Sequence, residues 1–360
     1  MEKHKKIIMN VSHAMISALV TYFISGVVAV SIVNSLVVDV RGSTLDSLSS
    51  EECKTQYIRK DYASMSEREE IPFKCHNETL MGYLYQASNP HGVIICAHGV
   101  GSLADSNNAQ YENYFINQGW DVFAIDMTAC GQSTGKGMKT LHESKFCVKY
   151  AIETVSKHQM TKGLPIYLIG HSWGGYGVIA GSDKTDVKAV VSFAAYDTPA
   201  GMMYSFAEAR AGAIVSLSKP GFDFALTAFY GNESYVAASD VIKRNRDIKY
   251  YVVQGDVDNT VILKNYSVYD HVYDKEFKNT KSVLLEGIGH SSPWKSKEAH
   301  DYYASYIEPG LEDLHKQYGK TIPEDKLGAF VATIDKEKSS ELNLSLMNDI
   351  NSYFLALVNE

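Results

Sequence analysis

A serine enclosed by glycines is the feature of this sequence that is best suited to chemistry. The pentapeptide Gly-His-Ser-Trp-Gly at residues 170–174 follows an apolar run at 166–169 and precedes a helix-like stretch at 176–180. A strand, a tight turn with serine at its tip and a helix make G-x-S-x-G a nucleophile elbow. The glycines leave room for a strained backbone, and a helix N-terminus stabilises negative charge. We therefore predict that Ser172 is a nucleophile.

A nucleophilic serine needs a base that takes its proton and a third group that orients the base. Aspartate and histidine follow Ser172 in the order expected when the serine lies on an elbow. Asp258 lies in the loop after a predicted strand, with Asp256 as the alternative two residues earlier, and His290 ends the loop after the next strand. A lone aspartate in a turn is usually a turn-capping residue, so the inference depends on the three residues together.

The rest of the sequence predicts the sheet that would position these loops. Several apolar runs are nearly continuous Val and Ile, which is typical of strands buried on both faces of a parallel sheet. Helical segments alternate with these runs, so we predict an α/β fold with a mostly parallel central sheet and helices on both faces. The strands are predicted at 79–85, 93–97, 121–125, 166–169, 189–193, 250–253 and 283–285, and the helices at 107–118, 143–157 and 174–181.

Two helical regions interrupt the alternation, a predicted cap at about 197–247 and a C-terminal extension at about 298–360. The sequence of the extension leaves open whether it docks on the sheet, binds a partner or faces a membrane. Apolar cap side chains could line a pocket for acyl chains or could simply pack the cap onto the sheet. Glu208 and Asp223 are cap carboxylates that a site for a free amino terminus could use. The apolar cap residues are Met202, Met203, Tyr204, Phe206, Phe222, Phe224, Phe229 and Tyr230.

The N-terminus has a different composition. Three lysines among the first six residues precede an uncharged stretch at 7–38, which exceeds the roughly 20 residues that a membrane-spanning helix needs. Lysines before it and acidic residues after it predict that the N-terminus lies inside and the bulk of the chain outside the cytoplasm. We predict a signal anchor at 1–41, a linker or irregular lead-in at 42–65 and a folded domain at 66–360. The alternative is a cleaved signal peptide and secretion, since residues 29–31 form a small-x-small site.

Composition limits the remaining possibilities. The 360 residues are 45% hydrophobic and 21% charged, which is typical of a globular protein. The net charge of −8 gives no electrostatic reason to expect nucleic-acid binding. Among the five cysteines, Cys53 and Cys75 could form a disulfide outside the cytoplasm, and no spacing resembles a metal site.

From about residue 78 to 295 the sequence resembles the α/β-hydrolase superfamily, in particular its esterase, monoacylglycerol-lipase-like and serine-aminopeptidase-like members. Members often show G-x-x-D-x-x-V at the acid loop, which aligns Asp258 rather than Asp256. The chain departs from the common D-x-R-G-x-G-x-S pattern at 126–133, where Thr128 replaces the arginine. The segments that carry the resemblance are residues 98–101 (His-Gly-Val-Gly), 170–175, 255–261 and the pair Gly289-His290.

The resemblance implies a Ser172–His290–Asp258 triad that cleaves carboxylic esters through an acyl-enzyme, without metal or organic cofactor. The backbone N–H of Trp173 would supply one oxyanion donor. The resemblance assigns the second to Val100, with Gly101 as the alternative. A small or lipid-like ester would be the substrate, and the membrane would be a partner through the N-terminal helix. An aminopeptidase or amidase on the same triad and a non-catalytic surface protein are the alternatives.

Overall fold

The computed structural model describes residues 2–33, 42, 50–104, 106–211, 219–273 and 277–358. Within these residues eight strands form one sheet in the order β1-β2-β4-β3-β5-β6-β7-β8. β1–β2 and β2–β4 are antiparallel pairs, and the other pairs are parallel. The predicted mostly parallel α/β sheet is therefore confirmed. The strands are β1 (Glu69–Cys75), β2 (Glu78–Tyr85), β3 (Val93–Ala97), β4 (Asp121–Asp126), β5 (Ile166–His171), β6 (Ala189–Phe193), β7 (Lys249–Gly255) and β8 (Thr280–Leu285).

Helices cover both faces of the sheet. Successive residues of β3 belong to two different buried clusters, Ile95 to one and Ile94 and Cys96 to the other, as expected for a strand with two buried faces. The helices are α1 (Glu2–Val33), α2 (Glu51–Lys54), α3 (Ala109–Asn117), α4 (Glu143–Lys157), α5 (Trp173–Gly181), α6 (Pro199–Ala211), α7 (Lys219–Tyr230), α8 (Ala238–Arg244), α9 (Leu263–Tyr266), α10 (Val268–Val272), α11 (Lys297–Tyr302), α12 (Glu308–Tyr318), α13 (Glu324–Val331), α14 (Lys336–Ser339) and α15 (Leu344–Leu355).

Helices α6, α7 and α8 lie between β6 and β7, where the cap is predicted. The long N-terminal helix α1 contacts α7 through two glycines. A Cβ on Gly26 would lie 2.3 Å from the Gly221 carbonyl carbon, so the two backbones approach closely. The rings of Phe23 and Phe224 meet edge to face 5.7 Å apart beside this contact. The apolar N-terminal helix therefore packs directly on the cap.

The last helix packs on the sheet. Ile350 and Phe354 of α15 are buried in the same cluster as Trp120 and Tyr167, and the Phe354 ring lies 4.8 Å from the Tyr167 ring. Trp120 Nε1–H donates to the Asn351 side-chain oxygen at 2.8 Å. Of the three roles that the sequence leaves open for the extension, docking on the sheet is the one this helix adopts.

The suggested Cys53–Cys75 disulfide is absent, and both residues are buried free thiols. The β1 strand carries Cys75 against the start of α4, where its thiol lies 3.9 Å from a Glu143 carboxylate oxygen. Cys53 lies instead in α2, where its backbone N–H donates to the Ser50 hydroxyl. The two cysteines thus belong to different neighbourhoods.

Candidate active site

The turn between β5 and α5 carries Ser172 in a conformation that few side chains adopt. Its φ is 54° and its ψ is −110°, in a region that strains a non-glycine residue. A Cβ on Gly170 would lie 2.3 Å from the Gly174 carbonyl oxygen, and one on Gly174 would lie 2.1 Å from the Ala97 carbonyl oxygen. The two glycines of the pentapeptide therefore let β5, α5 and β3 close around the serine.

The three residues predicted as a triad lie together. His290 Nε2 lies 2.9 Å from Ser172 Oγ, and His290 Nδ1 lies 2.8 Å from Asp258 Oδ2. Since a carboxylate only accepts, Nδ1 carries the ring proton and Nε2 is free to accept the serine O–H. This arrangement can take a proton from the hydroxyl and return it to a leaving group.

Asp258 is buried and held from three further directions. Its Oδ1 accepts the backbone N–H groups of Thr260 and Val261, each at 2.8 Å, and its Oδ2 accepts the Gln254 side-chain amide at 2.9 Å. Asp256 points elsewhere, because its Oδ1 accepts the Gly287 N–H at 2.7 Å. Of the two carboxylates left open by the loop sequence, Asp258 is the one beside the histidine.

His171, the second residue of the pentapeptide, contacts the backbone of the predicted base. Its Nε2–H donates to the His290 backbone carbonyl at 2.9 Å, and its ring lies 5.3 Å from the Trp294 ring. Burial, followed by the neighbouring His290, lowers the pKa of His171 to about 3. His171 therefore stays neutral at physiological pH and holds the backbone of the loop that carries the base.

The loop after β3 approaches the serine from the other side. His98 Nδ1–H donates to the Gly99 carbonyl at 2.7 Å, and its Nε2 accepts the Met127 N–H at 3.1 Å. Burial lowers the pKa of His98, which keeps the ring neutral for both roles. In the described part of the chain the N–H groups of Val100 and Trp173 donate to no protein acceptor. Both N–H groups can therefore donate a hydrogen bond to an oxyanion.

A comparison with known families gives a match over the middle of the chain. The family described as "Serine aminopeptidase, S33" matches residues 88–265, which include the elbow and the acid loop. The chain has the α/β-hydrolase fold. A comparison of this α/β hydrolase with curated proteins gives no match.

Several solved structures are similar to this chain at low sequence identity. The Pyrococcus furiosus esterase Pf2001 is 16% identical, with 73% of this chain and 96% of the esterase covered and a TM-score of 0.50. Est1E from Butyrivibrio proteoclasticus is 17% identical, with 69% and 98% covered and a TM-score of 0.45. An α/β hydrolase from Vibrio vulnificus is 15% identical, with 75% and 91% covered and a TM-score of 0.47.

A pocket of about 260 Å³ opens beside Ser172. Of the eight apolar cap residues singled out in the sequence, Met202 and Phe206 line it. Phe222 is buried in the core instead, and Phe224 is exposed. Some apolar cap residues therefore line the pocket, and others do not. The wall also includes Glu52, Gly99, Val100, Gly101, Asn107, Asn108, Leu141, Tyr196, Thr260, Ser291, Ser292 and Trp294.

The two cap carboxylates lie away from this pocket. Glu208 accepts the Tyr266 hydroxyl at 2.6 Å, and Asp223 accepts the Tyr204 hydroxyl at 2.7 Å. The carboxylate on the pocket wall is that of Glu52, whose Oε1 accepts the Asn107 side-chain amide at 2.8 Å. Glu52 precedes the first strand by many residues, and no motif in the sequence distinguishes it.

Proposed function

We propose that this α/β hydrolase is a serine hydrolase that cleaves carboxylic esters through an acyl-enzyme. Ser172 is the nucleophile, His290 the base and Asp258 the residue that orients the base. The observation that supports this proposal most strongly is the position of His290, within 2.9 Å of the serine oxygen and 2.8 Å of the aspartate. Each group lies in hydrogen-bonding reach of the next, as nucleophilic catalysis by serine requires.

The reaction proceeds in two halves. His290 Nε2 takes the Ser172 proton as Oγ attacks the ester carbonyl, and the same proton passes to the departing alcohol. Water then attacks the acyl-enzyme with His290 again as base, which frees the acid and restores the serine. The N–H groups of Trp173 and Val100 stabilise the oxyanion in both halves, and each such donor contributes about 3 to 4 kcal/mol to the transition state.

An aminopeptidase on the same residues is the second candidate, because the matching family is described as a serine aminopeptidase. Recognition of a free amino group requires a carboxylate in the pocket. Glu208 and Asp223 bond elsewhere, and Glu52 is already bonded to Asn107. The apolar Met202 and Phe206 suit an acyl chain, so the pocket favours an ester.

Covalent labelling tests the proposal. A fluorophosphonate should add one equivalent to the full chain at Ser172, and Ser172→Ala and His290→Ala should lose the label in intact-mass spectra. The activity of the unlabelled protein is compared separately on p-nitrophenyl esters and aminoacyl anilides. Folded protein that takes no label would favour a non-catalytic role, and faster anilide cleavage would favour the aminopeptidase.

We also propose that α1 anchors the protein in a membrane, with the catalytic domain outside the cytoplasm. Among the described residues, one helix is long and apolar enough to cross a bilayer, at Val11–Ile32 with a mean hydropathy of 2.1. A cleaved signal peptide has the same appearance. The length of the uncharged stretch at 7–38 favours retention, because it exceeds the about 7 to 15 apolar residues that are typical of a signal peptide.

Membrane fractions of expressing cells should contain the intact chain, resistant to alkaline carbonate, with its domain digested by protease added outside. Leu19→Arg in the exposed middle of α1 should release it, because a charge at the bilayer centre is unfavourable by about 3 kcal/mol or more. A mature chain that lacks α1 would show that the segment is a signal peptide.

A further inference from the structure

A second cavity of about 180 Å³ adjoins the active-site pocket. Glu52, Ser291 and Ser292 line both spaces, and the two serines directly follow His290 in the chain. The cavity therefore lies next to the catalytic base, between the lead-in, the histidine loop and α11. Its remaining wall residues are Thr55, Gln56, Lys295, Ala299, His300, Tyr303 and Ser339.

Lys295 brings a positive charge to this cavity without a paired carboxylate. Its ammonium donates to the Gln56 side-chain oxygen at 2.5 Å, which is a neutral partner. Among the described residues, no Asp or Glu oxygen lies within the 4.0 Å of an ion pair with it. Burial lowers the pKa of Lys295 to about 8, opposed by the more distant Glu52, so the group remains mainly protonated at neutral pH. Two of its three N–H donors are left for a ligand.

The charge balance of the wall favours an anion. Among the described residues, Glu52 is the one carboxylate on the wall of this cavity, and Asn107 donates to it at 2.8 Å. His300 contributes an imidazole ring, whose Nε2 is buried without a partner in the described structure. A desolvated ammonium is unfavourable unless an anion or several hydrogen bonds compensate it. Lys295 has one neutral acceptor, so the compensation is incomplete.

We propose that this cavity is an anion-binding subsite, in which Lys295 binds a carboxylate or phosphate group carried by the substrate. The volume equals that of about six water molecules, which suits such a group with a short linker and excludes a long acyl chain. Its position beside His290 makes an anionic ester the preferred substrate class. The substrate assignment rests on the proposed function, whereas anion binding itself requires no catalysis.

Binding is measured first on the full chain with Ser172→Ala, so that no turnover intervenes. Calorimetry with glutarate and with inorganic phosphate should show saturable binding that Lys295→Met weakens by about 10-fold to 100-fold, the usual effect of a lost charged hydrogen bond. Lys297→Met is the matched control, because Lys297 is exposed and pairs with Asp301 at 2.8 Å. Absence of binding to the Ser172→Ala protein, or unchanged binding after Lys295→Met, would overturn the proposal.

Kinetics then identify the source of the anion. The enzyme should hydrolyse the p-nitrophenyl monoester of glutarate with a higher kcat/KM than p-nitrophenyl butyrate. Lys295→Met should lower the ratio of these two kcat/KM values by at least about 10-fold. Phosphate should compete with the anionic ester only. Phosphate binding without any preference for the anionic ester would overturn the substrate assignment and identify a free anion as the ligand. If neither ester is hydrolysed, the proposed function is wrong. The calorimetry still shows whether the cavity binds an anion, because it requires no catalysis.

Discussion

Asp258→Asn is expected to lower kcat for ester hydrolysis by about 10⁴-fold, with little change in KM. The carboxylate accepts Nδ1–H of His290 and so keeps Nε2 unprotonated toward Ser172. An asparagine amide in the same place can keep its oxygen on the N–H groups of Thr260 and Val261. Its NH₂ group would then face Nδ1 and favour the tautomer with the proton on Nε2, which cannot accept from serine.

Asp256→Asn is the matched control for this prediction. Asp256 lies in the same loop, and its carboxylate accepts the Gly287 N–H rather than the histidine. We expect its kcat to stay within about 3-fold of the wild type, since an asparagine oxygen can accept the same N–H. Steady-state kinetics with circular dichroism of both variants check the result. Equal losses in the two variants would contradict the assignment of Asp258 as the orienting residue.

The parts of the fold that the sequence predicted are those with strong local patterns. Val and Ile runs such as residues 93–97 mark strands with two buried faces, and β3 lies there. β1 escaped prediction because it has no continuous run of Val and Ile and carries Pro72 in its middle. Proline is tolerated at that place because β1 is an edge strand.

In the site, too, the residues that could be predicted are those that local sequence patterns mark. Ser172, Asp258 and His290 could be proposed because each follows a strand whose end meets the others at one edge of the sheet. The contact of His171 with His290 joins loops 119 residues apart, so it follows from tertiary packing and leaves no periodic pattern in the sequence. The contact of Gln254 with Asp258 is local, but Gln254 belongs to no motif that would mark it.

The structural role of the lead-in at 50–56 also could not be predicted from its sequence. Its polar composition is typical of a linker, yet Gln56 is buried and Glu52 lines the active-site pocket. Ser339 Oγ–H donates to the Thr55 carbonyl at 2.6 Å, nearly three hundred residues later in the chain. Segments that are held by partners so far away in sequence have no amphipathic pattern of their own, because side-chain hydrogen bonds rather than an apolar face fix them.

Gly174→Ala is expected to destabilise the protein by at least about 3 kcal/mol and to lower kcat/KM by about 10²-fold or more in the fraction that folds. The new Cβ would lie 2.1 Å from the Ala97 carbonyl oxygen and 2.7 Å from that of His98. Both are backbone atoms of the β3 end, so no side-chain rotation can relieve the overlap. The Gly174 N–H also donates to the His98 carbonyl at 3.1 Å, and separation of α5 from β3 would lengthen this bond.

Gly328→Ala separates this steric effect from the general effect of removing a glycine. Gly328 lies inside α13, and a Cβ there meets no atom within 4 Å. Alanine should therefore raise the free energy of unfolding by about 0.5 to 1 kcal/mol, as in other helix interiors. Urea denaturation of the two variants gives the comparison. If Gly174→Ala unfolds at the wild-type urea concentration and keeps full activity, the close approach of α5 to β3 cannot be what positions Ser172 and the N–H of Trp173.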